Sequence, residues 1–174
     1  MTNSSPSKGI SPSERRSAVV DPARSAQMAL IRSRDTKPET RVRKALHAAG
    51  LRYRLHDRRL PGSPDLVFAS RRVVVFVHGC FWHQHPGCAA CRMPKTRHDF
   101  WRAKLEGNVA RDARQVAELE AQGWRVLTIW ECDTRDATTL ESLVQRIQNL
   151  PTHPESPPNA AADVGGRRGR MLPR

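Results

Sequence analysis

Five apolar residues in a row, Val73-Val74-Val75-Phe76-Val77, constrain this chain more than any other stretch. A strand sends alternate side chains to opposite faces, so this one has no polar face. It must be covered on both sides, as a central strand in a layered α/β fold is. Residues 65–68 read as a second strand, joined to residues 72–77 by a short turn at 69–71, which makes the pair antiparallel. Residues 124–130 read as another strand, with Val126, Leu127 and Ile129 inside. Residues 51–55 alternate with Arg52 and Arg54, as an edge strand does.

Helices alternate with these strands. Thr36 offers an N-cap, Pro38 an early-turn residue, and Glu39 lies three beyond the cap. That pattern predicts a helix to about Ala49, ended by Gly50. Residues 96–122 predict a long helix closed by Gly123, and residues 138–150 a last one. Residues 22–33, with Met28, Leu30 and Ile31, permit a helix, and residues 60–64 form a loop. The expected fold class is an α/β sandwich with a mixed sheet.

Charge narrows the partners. Thirty Lys+Arg against 17 Asp+Glu give +13, which calls for a polyanion, nucleic acid first and an anionic membrane surface second. Residues 1–20, with six Ser, read as a disordered arm; residues 151–174, with five Pro, three Gly and Arg167, Arg168, Arg170 and Arg174, read as a disordered basic tail. Residues 21–150 keep +9 of the +13, so the basic character belongs to the folded domain. No apolar run approaches the ~18–20 residues of a membrane span. The first ten residues lack the apolar stretch of a secretory signal. The expected compartment is the cytosol, where four Cys are metal ligands or buried thiols rather than bridges.

Two helices carry an acid where the core stripe should be apolar. Glu39 shares a face with Val42, Leu46 and Ala49; Asp112 shares one with Leu105, Val109, Val116 and Leu119. An inward carboxylate needs a cation, a metal or a donor. For Glu39 a capping box answers this equally well, and for Asp112 a structural salt bridge with an Arg is the lesser alternative to a specific partner. Asp65 opens a strand after Pro64, opposite residues 76 and 77. Its carboxylate and a main-chain carbonyl near Val77 suit one hard cation, Mg²⁺, although Pro-Asp is also an ordinary strand start.

Between His78 and Cys91 lie three Cys and three His, and Cys132 follows a strand far downstream. Thiolates and imidazoles are zinc ligands, and Cys80, His85, Cys88 and Cys132 would close a structural site. Cys91 forms a Cys-x-x-Cys pair with Cys88 and can replace it. A zinc deaminase is excluded, because His83-Gln84-His85 supplies no His-x-Glu. His78 and His83 then remain, each a general-base candidate, with Asp112 able to orient His83. Aromatic residues are few but paired, Phe81-Trp82 and Phe100-Trp101. Phe100 and Trp124 suit the core, while Trp82 and Trp101 suit either edge cover or wedges between base pairs.

These segments together resemble the very short patch repair (Vsr) DNA mismatch endonucleases. The resemblance runs through Arg34-Asp35-Thr36 with Glu39, then Leu60-Pro61-Gly62-Ser63-Pro64-Asp65, then Phe76-Val77-His78-Gly79-Cys80-Phe81-Trp82-His83. It continues through Pro94-Lys95-Thr96-Arg97 with Phe100-Trp101, Asn108, Arg111-Asp112, Gly123-Trp124-Arg125-Val126 and Trp130-Glu131-Cys132, covering about residues 24–135. It implies a restriction-endonuclease-like three-layer fold, with a central mixed sheet flanked by helices and a structural zinc site. It implies an Mg²⁺-dependent endonuclease, a monomer, that nicks double-stranded DNA 5′ to the T of a T:G mismatch.

Carried onto this sequence, the resemblance gives Asp65 and the main-chain oxygen of Val77 to Mg²⁺. His83 would act on the attacking water with Asp112 behind it, and His78 and Glu39 would assist at the phosphate. Phe81, Trp82 and Trp101 would insert at the mismatch. Cys80, His85, Cys88 and Cys132 would hold zinc, with Cys88 against Cys91 left open by the Pro86-Gly87 stretch. The acid-x-Lys of restriction enzymes is absent after Asp65, so the histidines must supply that chemistry. A zinc-stabilised module that binds mismatches without cutting them is the alternative; an inward Asp–His pair beside a metal-binding acid argues for catalysis. A zinc hydrolase of small molecules fits the basic body and paired aromatics less well.

Overall fold

The computed structural model describes residues 34–152. The arm at 1–20, the helix-permissive stretch 22–33 and nearly all of the tail at 151–174 lie outside the described residues. Three α-helices and a four-stranded mixed sheet make up the described part: α1 (Lys37–Ala48), β1 (Arg54–Leu55), β2 (Leu66–Phe68), β3 (Val73–His78), α2 (His98–Ala121), β4 (Arg125–Trp130) and α3 (Ala137–Gln148). The sheet order is β1-β2-β3-β4, with β1, β2 and β3 antiparallel and β3 parallel to β4. No helix among the described residues is long and apolar enough to cross a membrane.

The apolar run does occupy a covered strand. Val73 and Val75 join Val42 and Leu46 of α1 and Leu143 and Ile147 of α3 on one face. Val74 and Phe76 join Leu119 of α2 on the other. Val73, Val74 and Val75 are fully buried, and each such side chain contributes roughly 1.5–3 kcal/mol. The hairpin turn falls at a single 3₁₀ turn, Ala69–Arg71, as the sequence predicts.

α1 begins where its cap says it should. The Thr36 hydroxyl accepts the Glu39 N–H, and the Glu39 carboxylate accepts the Thr36 N–H and O–H. Two boundaries and one buried position differ from expectation. The edge strand shrinks to Arg54–Leu55, because Leu51 is drawn into the core and its N–H closes the end of α1 on the Leu46 carbonyl. α2 starts at His98 rather than 96, because Arg97 is left-handed at φ 53. Val109, expected on the inward stripe, is 42% exposed, although Leu105 and Leu119 of the same stripe are buried.

Two adjacent arginines at the hairpin clamp both layers. Arg71 donates to the carbonyls of Gln148 (3.2 Å) and Leu150 at the end of α3. Arg72 donates to those of Gly123 (3.3 Å) and Gln122 at the end of α2, and its guanidinium lies 5.0 Å from the Trp124 ring centre. A cation at a helix C-terminus satisfies carbonyls that the helix leaves unpaired. Arg72→Ala is expected to cost about 1–2 kcal/mol in urea unfolding, with endonuclease activity unchanged at temperatures where the variant stays folded.

Candidate active site

The polar chemistry gathers at one end of the sheet, where β3 ends and antiparallel β2 begins. Leu66 faces Val75, so by the same register Asp65 faces Phe76 and Pro64 faces Val77. The β3 residues that bond β4 are the alternate ones, such as His78, whose carbonyl accepts the Glu131 N–H. Val77 therefore turns its main-chain groups toward β2. Pro64 is buried there and has no N–H to give, so the ladder cannot continue. The Val77 N–H instead donates to Asp65 Oδ2 at 2.7 Å, and the Val77 carbonyl is left without a donor from that strand. Burial pushes the Asp65 carboxyl above its ordinary range; the Val77 amide pulls it back, and the Glu39 charge raises it further.

Asp65 lines a cleft of about 190 Å³, with Val77, His78, His83, Asp112 and Gln115 also in its wall. Gly62, at φ 72, lets the 60–64 loop close over α2: a Cβ there would meet the Gln115 side chain at 2.6 Å. His83 Nδ1 lies 2.6 Å from Asp112 Oδ2. An ionised carboxylate only accepts, so Nδ1 carries the proton and Nε2 of the neutral ring is left as an acceptor. His78 stacks on His83 at 3.9 Å between ring centres. Burial first, then the neighbouring His83, bring the His78 pKa down to about 4 against the opposing pull of Asp112, so His78 is neutral near pH 7.

The cysteines meet through the same sheet geometry. His78 pairs with Trp130 in parallel register, so Cys80 and Cys132, each two residues on, leave the sheet side by side. Ligand atoms of Cys80, His85, Cys88 and Cys132 lie within 4.8 Å of one another. His85 Nδ1 is 3.3 Å from the Cys132 sulfur and 3.7 Å from that of Cys80. Cys91 is not in the cluster; its thiol donates to the carbonyls of Cys80 (2.9 Å) and His85 (3.1 Å). Burial first, then Asp133 and Cys80, push the Cys132 thiol up to about 12, so it is protonated unless a cation displaces the proton.

Phe81, Trp82, Phe100 and Trp101 form one cluster, with Phe81–Trp82 at 5.1 Å, Phe81–Trp101 at 5.6 Å and Phe100–Trp101 at 5.4 Å. Lys104 Nζ reaches within 6 Å of Trp82, Phe100 and Trp101. Asn108 of α2 donates to the Trp82 carbonyl at 3.1 Å and ties the loop to the helix. Glu39 is 3% exposed and bonds Arg43 Nη2 at 2.7 Å besides its capping contacts. His56 lies between it and Asp65, 3.7 Å from each carboxylate.

The family profile for DNA mismatch endonuclease Vsr matches residues 17–89. The type II nicking enzyme V.XorIIP of Xanthomonas oryzae pv. oryzae (strain KACC10331 / KXO85) is 52% identical over 120 residues, 69% of this chain and 88% of its own. The DNA mismatch endonuclease Vsr of Escherichia coli (strain K12) is 44% identical over 127 residues, 72% and 81% of the two chains. The type II nicking enzyme V.NmeAIP of Neisseria meningitidis serogroup A (serotype 4A, strain DSM 15465 / Z2491) is 41% identical over 124 residues, 71% and 88%. The chain belongs to the DNA mismatch endonuclease Vsr family.

It is accordingly a DNA endonuclease of the repair class, a hydrolase. Within this Vsr chain, the fold brings Asp65, His78, His83 and Asp112 to one cleft. It sets Phe81 T-shaped against both Trp82 and Trp101, with the two tryptophans tilted at 6.0 Å, and it gathers the four Cys/His ligand candidates. Phe100, expected in the core, is 45% exposed and joins the aromatic cluster, because Trp101 takes the covered side of the helix turn. Glu39 stands one residue back from the cleft. Sequence reasoning missed Arg43 and His56: the i,i+4 spacing of Glu39 and Arg43 on α1 is a local signal that could have found the arginine, whereas only strand register brings His56 to Asp65.

Proposed function

We propose that this endonuclease nicks one strand of double-stranded DNA 5′ to the T of a T:G mismatch, the lesion left when 5-methylcytosine deaminates. It works as a monomer in the cytosol, on the nucleoid, with a restriction-endonuclease-like three-layer fold. One observation carries the reading: the His83–Asp112 pair shares a cleft with Asp65. The resemblance to mismatch endonucleases supplies the substrate.

Asp65 and the Val77 carbonyl fit Mg²⁺, since both offer hard oxygens and the carboxylate is already turned by the Val77 N–H. Bound there, Mg²⁺ would neutralise charge developing on the phosphate oxygens. His83 Nε2 takes a proton from the attacking water. Asp112 holds Nδ1–H and steadies the imidazolium that forms, as a carboxylate behind a catalytic histidine does. His78, neutral and stacked on His83, offers a hydrogen bond to the phosphate without adding a competing charge. Glu39 assists at one remove, through Arg43 and His56.

Cys80, His85, Cys88 and Cys132 fit zinc by ligand type and spacing, with Cys91 outside. Their tie joins the loop after β3 to the end of β4 and so fixes His83. Phe81, Trp82 and Trp101 wedge into the stack beside the mismatch, with Lys104 among them for the phosphates. Unstacking costs a few kcal/mol per step and least at a mismatch, so the lesion itself contributes selectivity.

End-labelled duplexes carrying T:G or C:G at one position test this. A nick is expected only in the T:G duplex, only on the T strand and only with Mg²⁺. His83→Ala should slow it by about 10²–10⁴-fold with mismatch affinity retained. Nicking of C:G at the same rate would sink the T:G assignment, and tight mismatch binding with no nick under any divalent ion would favour a non-catalytic binding module.

A further inference from the structure

His56 adopts φ 48, a left-handed conformation that a non-glycine residue holds only when its surroundings impose it. Leu55 pairs with Leu66, so His56 is the cross-strand neighbour of Asp65, and its N–H bonds the Asp65 carbonyl at 3.4 Å. The half-buried ring meets three charged groups. Arg43 Nη2 lies 3.0 Å from Nε2. Glu39 Oε2 is 3.7 Å from Nε2, and Asp65 Oδ1 is 3.7 Å from Nδ1.

Arg43 decides the tautomer. A guanidinium only donates, so Nε2 must accept and the ring proton sits on Nδ1, the nitrogen facing Asp65. Arg43 is itself fixed, with Nη1 on Asp35 at 2.5 Å and Nη2 on Glu39 at 2.7 Å. Asp35, Glu39 and His56 could by spacing hold a cation, but the guanidinium already occupies that place. Asp65 is thereby flanked from both neighbouring strands: Oδ2 accepts the Val77 N–H, and Oδ1 lies 3.7 Å from His56 Nδ1.

We infer that His56 is a positioning residue that orients the Asp65 carboxylate for its divalent cation, with Arg43 and Glu39 setting the ring. This rests on the reading of Asp65 as a cation ligand. Partners behind a metal ligand commonly change metal affinity about 10–100-fold. It also gives the inward Glu39 a task beyond its cap: it pins the arginine that pins the histidine.

Mn²⁺ is the probe ion, followed by the paramagnetic resonance of the free ion. It is titrated into the full chain bound to a T:G duplex already nicked at the T, so that turnover does not enter. Asp65→Ala should abolish the site. His56→Ala should weaken it about tenfold or more, while His56→Asn, whose amide nitrogen stands near Nδ1 and which tolerates positive φ, should stay within about threefold of the parent chain. Tm and ion-free duplex affinity should be unchanged in the His56→Asn variant. Parent-like Mn²⁺ affinity in His56→Ala overturns the inference, as does a loss in His56→Ala that His56→Asn does not rescue. If Asp65→Ala binds Mn²⁺ as the parent does, the reading of Asp65 itself fails, a result distinct from either.

Discussion

Asp65→Asn should reduce nicking of a T:G duplex by about 10³-fold or more, while duplex affinity measured without divalent ion holds or rises slightly. The change is isosteric. An amide oxygen can still accept the Val77 N–H, which keeps the contact to β3. What disappears is the negative charge that a divalent cation would bind, in a site where burial already disfavours it. Raising Mg²⁺ should rescue little, because a neutral amide is a poor ligand for a hard cation. Single-turnover rates on one labelled duplex decide the matter; a loss below tenfold would mean that the cation is held elsewhere.

The largest effect on stability should come from the cysteine cluster. Cys88→Ala should release the zinc and destabilise the domain by several kcal/mol, roughly 10 °C or more in Tm. Cys91→Ala should keep full zinc content, because the Cys91 thiol is spent on two carbonyls. Metal analysis beside thermal melting separates the two. The sign with pH follows from the ligands: zinc needs thiolates, and Cys132 without metal is held protonated up to about pH 12. Zinc uptake should therefore release protons and weaken as the solution is acidified. Unchanged metal content in Cys88→Ala, with loss in Cys91→Ala, would reverse the assignment.

The elements with one local cause were legible in the sequence. Val73 to Val77 could only be a strand covered on both sides, and Thr36 with Glu39 could only sensibly start a helix. The hairpin at Ala69–Arg71 followed from its flanking strands. The inward stripe on α2 was half right. Leu105 and Leu119 are buried, but a helix longer than the layer it covers leaves Val109 exposed, and periodicity does not report where the layer ends. Phe100 failed for the same reason: hydrophobicity ranks a residue's wish for burial, not whether a neighbour such as Trp101 takes the place.

For the site, residue type and density marked the cysteines and His78, His83 and His85, helical spacing marked Asp112, strand position marked Asp65, and the family resemblance gave them roles. Their arrangement needed the sheet. Parallel register puts Cys80 beside Cys132, antiparallel register puts His56 beside Asp65, and a proline without an N–H frees the groups of Val77. Sequence by itself therefore fixed the chemical inventory and the local elements, which depend on neighbours a few residues apart. Tertiary structure alone set Cys88, rather than Cys91, within reach of the other three ligand candidates and brought His56 beside the aspartate, because those outcomes depend on distances between elements that only the fold sets.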